Sequence, residues 1–417
     1  MIIKHTLSNG LRVVAEMIPH VRSVSMGIWV HTGSKFEDKK SNGISHFLEH
    51  MLFKGTKKRT ARQLAEAFDE IGGQINAFTS KEITCYYAKV LDDHFAVSLE
   101  ILADMFLESV FNEEEIEKEK KVVVEEIRMI EDTPDDLVHD CLAEVSFEES
   151  TLGFPVIGTV ENVKHFSRAD LIKHQQQHYH PKNVVIALAG NLPDNFLEIV
   201  ESFFQDYEND GTKEKDPTPV FTPNIKIKQK TTEQTHICIG LPGLTVDDPR
   251  IYQVVLLNTI VGGNMSSRLF QKIREEKGLA YSVFSYHSSY QKAGLFAVYA
   301  GTAHKQVDEL ISNVFTILKQ VQQDGVTKKE LNKAKEQLKS NLMMGLESTN
   351  NRMSRLGRNE LLLEKHLSLD DLVDQVNQIT LDDLNELASK LFASPCSLAI
   401  VSPNQKIPSS FRGAILD

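Results

Sequence analysis

The sequence predicts an α+β protein made of two homologous α/β-sandwich domains that arose by internal duplication. Three observations predict it. The 417 residues suffice for two or three domains. Segments recur at a spacing of 213 to 215 residues. Strand-like and helix-like periodicities alternate along the chain, as layered sheets and helices require.

The repeat is visible in three places. Val160-Glu161-Asn162-Val163 through Asp170-Leu171 lines up with Val373-Asp374-Gln375-Val376 through Asp383-Leu384. Pro181 with the apolar run Val184–Leu188 matches Pro395 with Leu398–Val401, and Glu115–Lys120 matches Glu330–Lys335. Between the copies, Asp206–Pro219 is charged, poor in apolar residues and bears prolines, which marks a linker. The expected domains are 1–208 and 222–417, joined by 209–221. In the first copy, residues 1–14 alternate like strands around the Ser8-Asn9-Gly10 turn. Strand patterns follow at 21–31, 83–91 and 183–190, and helical patterns at 43–55, 61–71, 93–108, 113–131 and 167–179.

Composition excludes several classes. Apolar residues at 41% and charged residues at 25% are ordinary globular values, against disorder. A net charge of −12 argues against a nucleic-acid footprint and fits a cavity or surface that attracts cationic ligands. The N-terminus is no signal peptide by pattern, and no apolar run reaches the 18 or so residues of a membrane span. Cys85, Cys141, Cys238 and Cys396 are far apart with no CxxC pair, so a reducing cytoplasm is the expected compartment.

The chemical signal lies in the helix at 43–55, which reads His46-Phe47-Leu48-Glu49-His50. Residues four apart share a helix face, so both imidazoles project toward one point, and Glu49 borders it. Two imidazoles beside a carboxylate suit zinc and an activated water, in the inverted order of the zincin motif. A third ligand should come from the glutamate-rich helix at 113–131. At 100° per residue, Ile116, Val123, Ile127 and Ile130 define its buried stripe. Glu119 and Glu126 flank that stripe, whereas Glu125 points away. Glu126 is therefore the expected third ligand and Glu119 an orienting partner. The second copy supports this division: Ala334 and Asn341 stand at the equivalent positions, and 251–262 holds no histidine. The His174, His178 and His180 group aligns with Leu387 and Leu391 and has no acid among its members, so it reads as an amphipathic helix face.

On these residues the sequence resembles the M16 metallopeptidases, the inverzincins of the pitrilysin and mitochondrial-processing-peptidase family. The likeness is closest to the bacterial processing-protease members of about 400 residues, and it covers the whole chain. It implies a zinc-dependent endopeptidase with one Zn2+ per chain held by His46, His50 and Glu126. Glu49 is then the general base and Glu119 the accessory glutamate. Where the family has an arginine before the third ligand this chain has Glu125. Asn76-Ala77-Phe78-Thr79 is similar to the family's edge strand, which pairs with substrate backbone, and the Asn76 amide is then placed to serve the tetrahedral intermediate. Arg274 and Tyr281, seven residues apart in the second copy, resemble the family's pair that stabilises an oxyanion or grips the substrate. The resemblance further implies a clamshell that encloses short unfolded peptides, and a homodimer. The acidic balance suggests basic substrates. The competing reading is a non-catalytic partner or peptide-binding subunit. Such subunits lose ligands or base, and this chain keeps all four.

Overall fold

A computed structural model describes residues 2–211 and 218–411. The middle of the expected linker, 212–217, lies outside the described residues. Two sheets organise the chain. The first contains β1 (Ile2–Thr6), β2 (Arg12–Met17), β3 (Ser23–Val30), β4 (Gln74–Thr79), β5 (Thr84–Leu91) and β6 (Val184–Gly190). Their order is β1-β2-β6-β3-β5-β4, with β2 and β6 parallel and the other neighbours antiparallel. β6 is buried along its whole length, and its Val-Val-Ile-Ala-Leu-Ala run is what a strand covered on both faces requires.

The second sheet contains β7 (Ile225–Gln229), β8 (Thr235–Pro242), β9 (Ala280–Ser289), β10 (Gly294–Thr302) and β11 (Ser397–Ser402), in the order β7-β11-β8-β10-β9. Only β7 and β11 are parallel. Replacing β2, β6, β3, β5 and β4 by β7, β11, β8, β10 and β9 converts one order into the other. The duplication read from the sequence thus reappears as duplicated topology. β4 and β9, the equivalent strands, each lie at a sheet edge.

Two compact units divide the chain, and each includes a segment from the other half of the sequence. Among the described residues, the first comprises 2–128, 154–211 and 344–366, and the second 129–153, 218–343 and 367–411. In the first unit, helix Thr349–Leu362 lies on the sheet face formed by Val14, Trp29, Cys85, Val185, Ala187 and Ala189, and contributes Met353, Leu356 and Leu361. Gly357 permits this approach, because a Cβ there would stand 2.3 Å from Trp29 Nε1. Trp29 Nε1 donates to Met353 Sδ at 3.3 Å, and Arg352 pairs with Glu16 at 2.5 Å. In the second unit, helix Pro134–Ser146 plays the same part, packing Cys141, Leu142 and Val145 against Cys238, Ala297, Tyr299 and Ala399.

The opposite face of the first sheet meets the helices that matter for chemistry. Tyr86 of β5 packs on Phe106 of helix Phe95–Glu108 and on Tyr179, whose hydroxyl it contacts at 2.8 Å. The second unit's corresponding core joins helices Ile251–Val261, Val307–Asp324 and Leu381–Phe392 to its sheet. Among the described residues, no helix is long and apolar enough to cross a membrane.

Candidate metal centre

Helix Ile44–Leu52 carries the His46–His50 motif, and Phe47, Leu48, Met51 and Leu52 anchor it by complete burial. Its start is fixed from outside. Gly43 precedes it at φ 99°, a left-handed conformation that glycine adopts without a Cβ penalty, and glycine brings no capping side chain. Glu37 supplies the cap instead. Its Oε2 accepts from Gly43 N–H at 2.8 Å and Asn42 Nδ2 at 2.9 Å, and its Oε1 accepts from Ser45 N–H at 2.8 Å. Burial raises the Glu37 carboxyl, and these donors pull it back.

The 46 and 50 imidazoles stand one turn apart with ring centroids separated by 4.6 Å. Helix Glu113–Glu131 brings Glu126 beside them, its Oε2 3.6 Å from His50 Nε2. His46, His50 and Glu126 each offer one ligand atom, and these atoms all lie within 4.8 Å of one another, the only such group of three among the described residues. Zinc bonds of about 2.0–2.1 Å in tetrahedral array put ligand atoms roughly 3.4 Å apart, close to the His50–Glu126 separation. Three further observations fit a cation. His46 Nδ1 is buried with no hydrogen-bond partner among the described residues. Burial and the neighbouring His50 lower His46 to about 4, which keeps it in the neutral form that ligates metals. At His50 burial pulls the pKa down, but Glu119 and the charges of Glu126 and Glu49 outweigh it and raise the pKa, so the local field favours positive charge. The donor set of two nitrogens and one carboxylate therefore fits zinc.

Beside these three, Glu119 and Glu49 are placed by their contacts. Glu119, 4% exposed, receives His50 Nδ1 at 2.7 Å, which leaves Nε2 as the free ring nitrogen. The other Glu119 oxygen pairs with Lys54 Nζ at 2.6 Å. Although burial pushes the Glu119 carboxyl up, these two donors hold it below its ordinary value. Glu49 is buried and accepts from Thr79 Oγ1 at 2.5 Å. Burial, with a smaller push from Glu126, raises its carboxyl against the pull of Thr79 and His50. Glu125 faces solvent and pairs with Arg128. Ile130, expected in the buried stripe, is only half-buried, because the helix ends one residue later.

Among the described residues β4 pairs only with β5, which leaves its outer edge unpaired. Asn76 and Phe78 are exposed while Ala77 and Thr79 turn inward, the alternation a strand imposes. Asn76 Oδ1 accepts from Ala77 N–H at 2.8 Å, and Phe78 stands edge-on to Trp29 at 5.6 Å. In the second unit, the Arg274 guanidinium stacks between the rings of Tyr281 at 4.5 Å and Phe270 at 4.7 Å, and Tyr281 is 77% exposed. The two residues singled out there thus touch each other. His174 and His178 are buried side by side, with Ser45 Oγ 3.1 Å from His174 Nε2, and burial lowers both. They support the histidine helix from behind as neutral rings.

Sequence reasoning missed Glu37, Lys54 and the hydroxyl role of Thr79. Lys54 carried a readable signal, since it follows His50 by four residues. The other two depend on tertiary contacts that no local spacing announces.

Fold and site together define a duplicated α+β protein with an inverted His-x-x-Glu-His helix. Family models agree: residues 12–160 match the insulinase model of peptidase family M16, and 165–338 match the M16 inactive-domain model. The chain is 50% identical over 409 residues to the uncharacterized zinc protease YmxG of Bacillus subtilis, covering 98% of this chain and all of that one. It is 39% identical over 409 residues to an uncharacterized zinc protease of Streptomyces coelicolor, covering 95% and 89% respectively. Among solved structures, the M16 inactive domain of Pseudomonas fluorescens superposes with a TM-score of 0.90 at 20% identity, over 98% of this chain and 99% of that one. A protease from Helicobacter pylori gives 0.88 at 23%, over 97% and 99%. At such identities those two speak for the fold. The chain belongs to the M16 peptidase family.

Proposed function

We propose that the chain is a zinc-dependent endopeptidase that hydrolyses short unfolded peptides. The observation that carries this is the convergence of His46, His50 and Glu126 beside a buried Glu49. His46, His50 and Glu126 would hold one zinc, and Glu119 fixes the His50 tautomer that leaves Nε2 free. When bound, the metal supplies a Lewis acid and lowers the pKa of a coordinated water toward about 7. Glu49, raised by burial, takes the proton of the attacking water and returns it to the leaving amine. Thr79 donates to Glu49 Oε2 and holds the carboxylate in place.

The open edge of β4 accepts an extended peptide as an added strand, which needs little side-chain specificity. Arg274 and Tyr281, a stacked cation and phenol, are assigned on the family likeness to the substrate backbone or the developing oxyanion. The −12 charge favours basic peptides. A homodimer in the cytoplasm is the setting the sequence suggests. The alternative, a non-catalytic subunit, finds support in the inactive-domain match, but that match begins at residue 165, beyond the metal motif.

The test is mass spectrometry of an unstructured basic peptide incubated with wild type and with Glu49→Gln, with and without a chelator. Cleavage by the wild type alone, abolished by the chelator, is expected. Equal cleavage by Glu49→Gln ends the general-base assignment.

A further inference from the structure

We propose that Lys54 is a positioning residue for the metal centre, acting on His50 through Glu119. The inference rests on the metal reading above and adds a residue to it. Lys54 lies four positions after His50, just beyond the helix end, where its backbone N–H still bonds Met51 O at 3.1 Å. Its ammonium reaches Glu119 Oε2 at 2.6 Å while His50 Nδ1 meets Glu119 Oε1 at 2.7 Å. One buried carboxylate is therefore held at both oxygens, by a cation on one side and an imidazole on the other. Either contact alone would leave Glu119 free to rotate about its terminal bond. Both together fix the plane of the carboxylate and, through it, the ring orientation of His50.

Charge points the same way. Glu49, Glu119 and Glu126 bring three negative charges to the centre, one more than a divalent cation balances. Lys54 supplies the missing positive charge, with its side chain 27% exposed and Glu119 only 5%. The other cations of the Lys54–Arg62 segment are engaged elsewhere: Lys57 with Glu108, Lys58 and Arg59 with Glu100, Arg62 with Glu66. A run that reads as solvated surface charge thus contains one member with a distinct role. Partners that orient metal-ligating histidines typically change metal affinity 10- to 100-fold when removed.

The experiment is zinc titration of the full-length apo-protein against a chromophoric chelator, with folding checked by circular dichroism. Lys54→Met should weaken zinc about 10- to 100-fold, Lys54→Arg should retain most of the affinity, and Lys57→Met should match the wild type. Lys54→Gln serves as a second uncharged variant if Lys54→Met does not fold. In a Glu119→Gln background, Lys54→Met should cost little more, because the link it acts through is already broken. Wild-type affinity in a folded Lys54→Met or Lys54→Gln overturns the proposal, and so do fully additive losses in the double variant. A wild type that binds no zinc sinks the metal reading itself, a result distinct from either.

Discussion

Replacing Glu37 tests whether the histidine helix is held at its start by a carboxylate six residues upstream. In Glu37→Ala three N–H groups lose their acceptor: those of Gly43 and Ser45 and one of the Asn42 amide, whose Nδ2 keeps Pro155 O at 2.9 Å. A buried donor left unpaired costs about 1–3 kcal/mol, so the gross penalty is roughly 3–9 kcal/mol. Burying a carboxylate is itself costly, and its removal returns part of that, leaving a net loss of about 2–4 kcal/mol. At about 2–4 °C per kcal/mol for a unit of this size, Tm should fall by roughly 5–15 °C. Glu37→Gln keeps the volume and one acceptor and should lose about 1–2 kcal/mol. Calorimetry of the zinc-free proteins measures both. Zinc affinity, taken at a temperature where all are folded, should fall with stability, because the capped turn leads directly into His46. A Glu37→Ala protein melting within about 2 °C of wild type would show that Glu37 does not hold the start of the helix.

Two further predictions concern the second unit and the exchanged helices. Although burial pushes the Glu330 carboxyl up, Arg268, bidentate at 2.7 and 2.9 Å, and the Thr327 donors hold it down to about 2, against an ordinary 4.5. A depressed carboxyl stabilises above its unfolded pKa and loses that contribution as pH falls from about 4.5 to about 2. Discounted for partial solvent contact this is about 1–2 kcal/mol. Urea midpoints of wild type and Glu330→Gln should therefore differ at pH 6 and converge near pH 2, and a gap independent of pH contradicts the pairing. Residues 1–208 alone lack helix 349–362 and should expose the sheet face around Trp29, Val185 and Ala187. That fragment should aggregate or bind hydrophobic dyes until residues 222–417 are added. A cooperative melt of the fragment by itself would show that the exchange is dispensable.

Much of the fold was legible because duplicated strands and helices repeat their apolar periodicity at one spacing. Helix exchange was not, since an apolar stripe such as that of Pro134–Ser146 shows that a helix must be covered without naming the sheet. The core of the site was legible for a physical reason too. His46, Glu49 and His50 share one helix, and Glu119 and Glu126 betray themselves as acids beside a buried stripe. Glu37 was hidden beside Asp38 and Lys39, and only tertiary contact distinguishes it. Lys54, close to Lys57 and Lys58, was marked only by its spacing of four from His50. The Thr79 hydroxyl was obscured because its strand is recognised by backbone pattern, not by what its inward side chains touch.

Everything proposed for this site depends on one metal held by His46, His50 and Glu126. Elemental analysis of zinc-loaded, dialysed protein tests it most directly, comparing wild type, Glu126→Gln and Glu125→Gln. Glu126 faces the two imidazoles while Glu125 faces Arg128 and solvent. One zinc per chain in the wild type and in Glu125→Gln, with most of it lost from Glu126→Gln, is the predicted result. Zinc retained by Glu126→Gln, or lost from Glu125→Gln alone, would contradict the account.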